Sequence, residues 1–424
     1  MWAAISRITA RLLSCAHLTD HCDIVRSQAL LKGRCVFMVG TAAHSGKLCS
    51  MSISPELLSR IIDPPKLFTP VISECIVRST PEDFQVDEVP AYQPTGKGEH
   101  GYLWIEKRGL TSPELIHRIV RNLGVPAKEI GLAGQKDRHA VTRQFVSIPK
   151  RFAEHAAKLN DDNIKVLLVT AHSNKLKTGH LRGNRFCLVL RSPSGAFTTD
   201  EAQSVHQRLQ TLAADGIPNY FGTQRFGHHG NTMVDGLRLL KGTLPNDHWP
   251  ENKTRTMRRL VLSAVQSGIF NLVLAQRVTD GTLRTPLPGE VVIRRNGTKP
   301  YVLPVDGSTD DIIPAGPMPG PEMILATGVV ADMERAIMSL LRLSPKDFQK
   351  YARLTSGIRR KMIEFPTEAD ARLTEDAAIL ATFSVTSGTY ATVVLREIFN
   401  TVKDSGSLVE QTGAASADDD GGDD

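Results

Sequence analysis

The stretch "GLAGQKDRHAVTRQF", residues 131–145, sets one carboxylate among cations. Asp137 stands between Lys136 and Arg138, with His139 and Arg143 close behind, and the run contains no second acid. Ordinary glycosidases use a pair of carboxylates, one as acid and the other as base or nucleophile. A single carboxylate among cations suits another role. Nearby positive charge favours the ionised form, which spoils a general acid but serves a nucleophile or a base. By charge pattern alone Asp137 is a solvated ion-pair partner, so a chemical reading needs support from the rest of the chain. The glycines at 131 and 134 add a tight backbone but no phosphate cradle, because "GLAGQKD" lacks the G-x-x-x-x-G-K-[ST] spacing.

The stretch runs on into "RQFVSIP", a short apolar run that reads as a buried strand, as does "RFCLVLR". Upstream, "SPELIHRIVRNLG" predicts a helix. Ser112 caps it, Pro113 takes the first turn, Leu115, Ile116, Ile119, Val120 and Leu123 share a face, and Gly124 ends it. "DEAQSVHQRLQTLAADG" predicts a helix with Val205, Leu209 and Leu212 inward. "RRLVLSAVQSGIFNLVLAQRV" predicts a longer, largely buried one. "AAILATFSV" reads as a strand, and "TSGTYATVVLREIF" turns from it into a closing helix. Strands and helices mix without a strict βαβ rhythm, so the class is α+β rather than a doubly wound parallel sheet. Residues 281–321 are rich in Pro and Gly, with short strands between, and resemble a separate lobe.

The 424 residues suit two or three domains. An apolar fraction of 41% and a charged fraction of 23% are those of a globular protein. No uninterrupted apolar run approaches the roughly 20 residues of a membrane-spanning helix, and no membrane partner is expected. The net charge of +6 hides an asymmetry. From Asp404 onward there are seven acids and no bases; removing those seven charges leaves +13 for the remainder. A body that basic favours a polyanion, nucleic acid first. The six cysteines form no C-x-x-C pair and sit at no zinc spacing, which argues against a disulfide framework or a structural metal. The opening "MWAAISRITARLL" spaces Arg7 and Arg11 four apart among apolar residues and holds no acid. That is the signature of a mitochondrial transit peptide, and it sets residues 1–60 outside a fold that starts near Leu67. The expected address is the mitochondrial matrix, otherwise cytoplasm or nucleus. "SADDDGGDD" closes a disordered acidic tail, residues 404–424.

Three more segments carry chemistry. "GIPNYFGTQRFGHHGN", residues 216–231, offers aromatic faces that stack a nucleobase, with Arg225 interleaved. Its Asn219 supplies the donor and acceptor that a pyrimidine edge requires. The adjacent His228 and His229 point apart and have no third ligand nearby, so no metal is expected. "AHSNKLKTGHLRGNRF" places Lys175, Lys177, Arg182 and Arg185 at irregular short intervals, a phosphate-tracking loop. In "RSTPEDFQVDEVPAY", residues 78–92, Phe84 reads as core.

Together, "TPEDFQVDEVP", "AGQKDRHAVTRQF", "KLKTGHLRGNRFCLVLR", "IPNYFGTQRFG", "LSAVQSGIFN" and "SGTYATVVLREIFN" resemble, in this order, the TruD family of RNA pseudouridine synthases. The resemblance runs from about Glu74 to Asn400. It implies a pseudouridine synthase catalytic domain, a mixed, mostly antiparallel sheet flanked by helices, over residues 67–244 and 363–403. It also implies an inserted TRUD-specific α/β domain over 245–362, with RNA in the cleft between. The family's catalytic Asp matches Asp137. Its uridine-site Phe and Asn match Phe84 and Asn219, and the aromatic facing the base matches Phe221. Arg78 stands where the family often has Lys, and Tyr390 where some members carry Phe.

The reaction so implied is an isomerisation that needs no metal or redox cofactor. A uridine flips into a pocket of Phe84, Phe221 and Tyr390, and Asp137 drives cleavage of its glycosidic bond. The uracil turns, and C5 rejoins C1′. Asn219 steers the base edge, while Arg78 and Lys136 serve Asp137, phosphate or the departing uracil. The RNA is tRNA, with rRNA and mRNA as alternatives. A different class, an RNA-binding ribosome-assembly factor docking on mitochondrial ribosomal particles, reuses the same scaffold.

Overall fold

The computed structural model describes residues 53–406. The basic opening and the acids beyond Gly406 lie outside these residues, as do the transit and tail readings placed on them. The fold begins before Leu67. Helix α1 (Pro55–Ile62) is capped by Ser54, whose hydroxyl accepts the Leu57 N–H at 3.2 Å, and it buries Ile61. Strands β1 (Ile72–Val77), β2 (Phe84–Pro90) and β3 (His100–Arg108) follow. Side chains alternate along a strand with a period of two. The buried row is Phe84, Val86 and Glu88 on β2, and it includes Leu103, Ile105 and Lys107 on β3. Each row ends in an ionisable residue.

Helix α2 (Ser112–Leu123) is capped by Thr111, not by Ser112. The Thr111 hydroxyl accepts the Glu114 N–H, and the Glu114 carboxylate accepts the Thr111 N–H at 2.6 Å. Such a box needs an acid three residues after the cap; Thr111 has one and Ser112 does not. Gly124 ends the helix at a φ of 70°, as the sequence predicts. Next come β4 (Gly131–Leu132), β5 (Val141–Pro149), the single turn α3 (Lys150–Ala153), β6 (Ile164–His172) and β7 (Leu181–Leu190). Helix α4 (Thr199–Asp215) buries Val205, Leu209 and Leu212, and β8 (Ile217–Pro218) follows it.

The chain then leaves the sheet through α5 (Asn231–Leu240) and the 29-residue α6 (Glu251–Thr279). The most apolar stretch of α6 is 83% buried, so its apolar length lies inside the protein. Strands β9 (Val291–Arg294), β10 (Pro300–Val302) and β11 (Ile312–Met318) lead to α7 (Gly328–Leu340), α8 (Pro345–Gln349) and β12 (Ile358–Lys361). These four strands make an antiparallel sheet in the order β10-β9-β11-β12. The Pro/Gly-rich segment packs against α6. Gly316 of β11 lies so close to α6 that a Cβ there would fall 2.7 Å from the Phe270 ring. A helix apolar on every side must be covered on every side, and the small sheet covers one of them.

Strand β13 (Ile363–Glu364) pairs with β8, and β14 (Thr367–Leu373) and β15 (Ile379–Thr386) re-enter the main sheet. That sheet has eight strands in the order β14-β15-β7-β2-β5-β3-β6, with β4 beside β5. Every pairing is antiparallel except β2 with β5, which is the α+β arrangement expected. The closing helix shrinks to the five residues of α9 (Ala391–Leu395). Strand β16 (Phe399–Asp404) follows and pairs in parallel with β1, Val77 opposite Asp404. Asp404 is therefore the end of a strand and not the start of the tail. The His228 and His229 rings do not point apart. Their centroids are 3.9 Å apart, edge to face, because His229 takes a left-handed φ of 52° within a tight turn.

Helices α5 and α6 cross at Gly236, where a Cβ would sit 2.3 Å from the Val261 carbonyl oxygen. Gly236→Ala should therefore cost about 1–3 kcal/mol through overpacking. Thermal denaturation reads this as a lower Tm, and an unchanged Tm would contradict so close a crossing.

Candidate active site

Asp137 lies in the loop between β4 and β5, and three contacts fix that loop from beneath. The Lys136 N–H donates to the Ser112 Oγ at 3.1 Å. Lys107, fully buried at the inner end of β3, donates through Nζ to the Asp137 carbonyl oxygen at 2.9 Å and to that of Leu110. Burial pushes the Lys107 ammonium down to about 8, with the Asp137 charge opposing. Lys136 turns inward and pairs with Glu88 of β2 at 3.1 Å, side chains 5% and 1% exposed. Burial raises the Glu88 carboxyl above its ordinary value, and Lys136 opposes the rise. Lys136 is thus ion-paired with Glu88 rather than with Asp137. A buried lysine is held by the carboxylate that neutralises it.

The partner of Asp137 is Arg78, just past the end of β1. Its Nη2 meets the Asp137 Oδ2 at 2.8 Å, and its Nη1 binds the Asp404 Oδ2. The Arg78 side chain is 7% exposed and Asp137 51%, so the buried cation presents a carboxylate that solvent and substrate can reach. The guanidinium also lies over the Phe84 ring at 3.9 Å. These residues open onto a cavity of about 530 Å³, also lined by Lys136, Arg225 and Tyr390. That volume falls within the roughly 300–1,000 Å³ of small-molecule sites.

Asn219 and Phe221 do not line this cavity. The Asn219 Oδ1 accepts from Arg360 at 2.5 Å and from the Thr389 hydroxyl at 3.0 Å, while its Nδ2 donates to the Lys361 carbonyl. Arg360 also donates to the Gly388 carbonyl at 3.0 Å and covers the Phe221 ring at 4.2 Å. Burial lowers the Arg360 guanidinium to about 10. Both motif residues therefore brace, from behind, the 387–390 turn that carries Tyr390 into the cavity wall. Of the expected RNA contacts, Arg225 is drawn back onto α6, bonded to Ser263 at 2.9 Å and Ser267 at 3.2 Å, yet still borders the cavity. Lys177, Arg182 and Arg185 are exposed, Arg185 lying 3.8 Å from Glu368. Lys175 caps the Lys128 carbonyl. The loop bearing Lys175 and Lys177 reaches the cavity rim at Thr178 and Gly179.

A sequence profile described as tRNA pseudouridine synthase D (TruD) matches residues 72–246 and 251–398. The chain belongs to the TruD family. It is 39% identical over 336 residues to the tRNA pseudouridine synthase D of Anaeromyxobacter dehalogenans strain 2CP-C, spanning 76% of this chain and 92% of that one. Identity to an enzyme of that name from Thermus thermophilus is 35% over 329 residues, spanning 76% and 88%. The TruD crystal structure from Methanosarcina mazei superposes with a TM-score of 0.64 at 22% identity, covering 81% of this chain and 97% of its own, a likeness of fold.

Four residues of this TruD site escaped the sequence reading: Lys107, Glu88, Arg360 and Asp404. The first two carried a signal, since each is an ionisable group in phase with a buried apolar row. Arg360 and Asp404 carried none, because each meets its partners only through distant pairing.

Lys107→Met removes both donors and should cost roughly 1–3 kcal/mol for each carbonyl left unpaired. Its pH dependence isolates the group. Lys107 titrates at about 8 when folded against 10.5 ordinarily, so between these values the unfolded chain keeps a proton that the folded one has released. Stability then rises with pH across the window, by about 3 kcal/mol from this group. Urea titrations at both ends of the window should show that rise lost in Lys107→Met; parallel behaviour of the two proteins would refute it.

Proposed function

We propose that this protein is an RNA pseudouridine synthase that isomerises a uridine of tRNA, the substrate its relatives' names carry. The observation that supports this most is the half-exposed Asp137, paired through a single oxygen to buried Arg78 at a cavity walled by Phe84 and Tyr390. The target uridine leaves its stack at a cost of a few kcal/mol and enters between those two rings. Asp137 acts on the ribose, by attack on C1′ or by removing the 2′ proton, and the C1′–N1 bond breaks. The uracil turns within the aromatic walls, a C5–C1′ bond forms, and the proton on C5 is lost as N1 gains one. No atom is added overall, so the site has no use for the second carboxylate that activates water in a hydrolase. Arg78 balances the charge of Asp137. Asn219 and Phe221 act indirectly, by holding the Tyr390 turn.

The exposed Lys177, Arg182 and Arg185 beside the rim suit phosphates flanking the target. Ribosomal particles as a further partner rest on the basic sequence alone. The test is Asp137→Ala, assayed by mass spectrometry on unmodified tRNA and rRNA transcripts. It should still bind RNA and form no pseudouridine; persistent product would rule out the role of Asp137. Product on rRNA but not on tRNA from the unaltered protein would overturn the substrate.

A further inference from the structure

Arg78 is shared between two carboxylates. Its Nη2 serves Asp137 and its Nη1 serves Asp404, while its Nε is buried without a partner. Arginine and carboxylate prefer to meet through two parallel hydrogen bonds. In this site they meet through one, at the Asp137 Oδ2, and Oδ1 stays outside the pair. The geometry accounts for the difference. With Nη1 held by Asp404, the guanidinium sits so that Nη2 alone bonds Asp137, while Nε, the other donor of that edge, stays buried and unpaired.

Asp404 is itself firmly aimed. The parallel register of β1 with β16 sets it opposite Val77, the residue before Arg78. Lys66 fastens the start of β16, donating to the Phe399 and Asn400 carbonyls at 3.1 and 2.7 Å. The Gly406 N–H donates to the Asp404 Oδ1 at 3.1 Å, which turns Oδ2 toward Arg78. Arg78 leaves β1 with a left-handed φ of 58°, a conformation that non-glycine residues adopt where the surroundings hold them. The Phe84 ring at 3.9 Å closes the third side.

We propose that Asp404 is a positioning residue of the catalytic centre. By holding Nη1 it fixes the guanidinium at an angle that gives Asp137 a single bond, through Nη2, and leaves one carboxylate oxygen open to the ribose. The proposal rests on the catalytic role given to Asp137 above. Removing the Asp404 charge frees the guanidinium to turn, and Nε or Nη1 then joins Nη2 in a fork on both oxygens of Asp137.

The test uses the full chain carrying Asp404→Asn or Asp404→Glu, with unmodified tRNA transcripts as substrate. Asp404→Asn should lower kcat about 10- to 100-fold, the effect expected of a misplaced catalytic group, with KM for tRNA and Tm unchanged. Asp404→Glu should restore most of the rate. Crystal structures of the parent and Asp404→Asn proteins provide a readout that needs no turnover: Arg78 should fork Asp137 in the variant alone. Full turnover in Asp404→Asn, a rate loss that tracks a fallen Tm, or an unmoved Arg78 would each overturn the proposal. If the parent protein forms no pseudouridine, the synthase reading fails, and the position of Arg78 still decides the role of Asp404.

Discussion

Two buried lysines, Lys107 beneath the 133–140 loop and Lys136 within it, hold the centre in place. An ammonium taken out of water loses several kcal/mol of solvation even after relaxation, so each must be compensated. Lys136 has Glu88 at 3.1 Å. Lys107 has carbonyl oxygens as its hydrogen-bond partners, one of them that of Asp137, and its affinity for a proton falls accordingly. The loop has no regular secondary structure of its own, so its backbone depends on what reaches it from the sheet and from α2. Two strands end their buried rows in Glu88 and Lys107 directly under it, and Ser112 adds a bond from the first residue of α2. A loop pinned at three points holds a carboxylate more exactly than its irregular backbone suggests.

Most of the fold was legible because its signals are local. Helix α2 could be read from Pro113 and Gly124, and the one error there had a local remedy: Thr111 and Glu114 spell the capping box that Ser112 lacks. Helix α6 and strands β5, β7 and β15 follow from apolar period and length. Pairing across long separations was not legible. Strand β16 exists because it lies against β1, more than 300 residues earlier, and charge counting alone assigned Asp404 to the tail. Side-chain direction was the other gap. The motif around Asn219 and Phe221 was found, yet Arg360 turns both away from the cavity, and that arginine joins them only because β12 runs beside β11 and returns next to β8 through β13.

The discontinuity of the main sheet explains how the cavity is assembled. Strands β2, β5 and β7 come from the first half of the chain, whereas β14 and β15 come from beyond residue 362. Phe84 opens β2, and Tyr390 follows β15. The two aromatic walls face one cavity because β7 lies between β2 and β15, paired with both. The intervening residues add no strand to this sheet. They contribute Arg360, Ser263 and Ser267, which anchor Asn219 and Arg225 from the far side. These residues thus hold the rim, while the sheet carries the elements that place Phe84, Asp137 and Tyr390 at the cavity.

Two of the cations near Asp137 in sequence have their ion pairs elsewhere. Lys136 belongs to Glu88, and Arg143 bridges Asp87 and Glu106 at 3.0 and 2.8 Å. The charge that faces Asp137 comes from Arg78, 59 residues upstream. The hydrogen-bonded cation of Asp137 is therefore the distant Arg78 rather than Lys136 or Arg143. Lys136 and Arg143 neutralise acids of β2 and β3. The Arg78 guanidinium is divided between Asp137 and Asp404, and Asp137 meets it through Oδ2 alone.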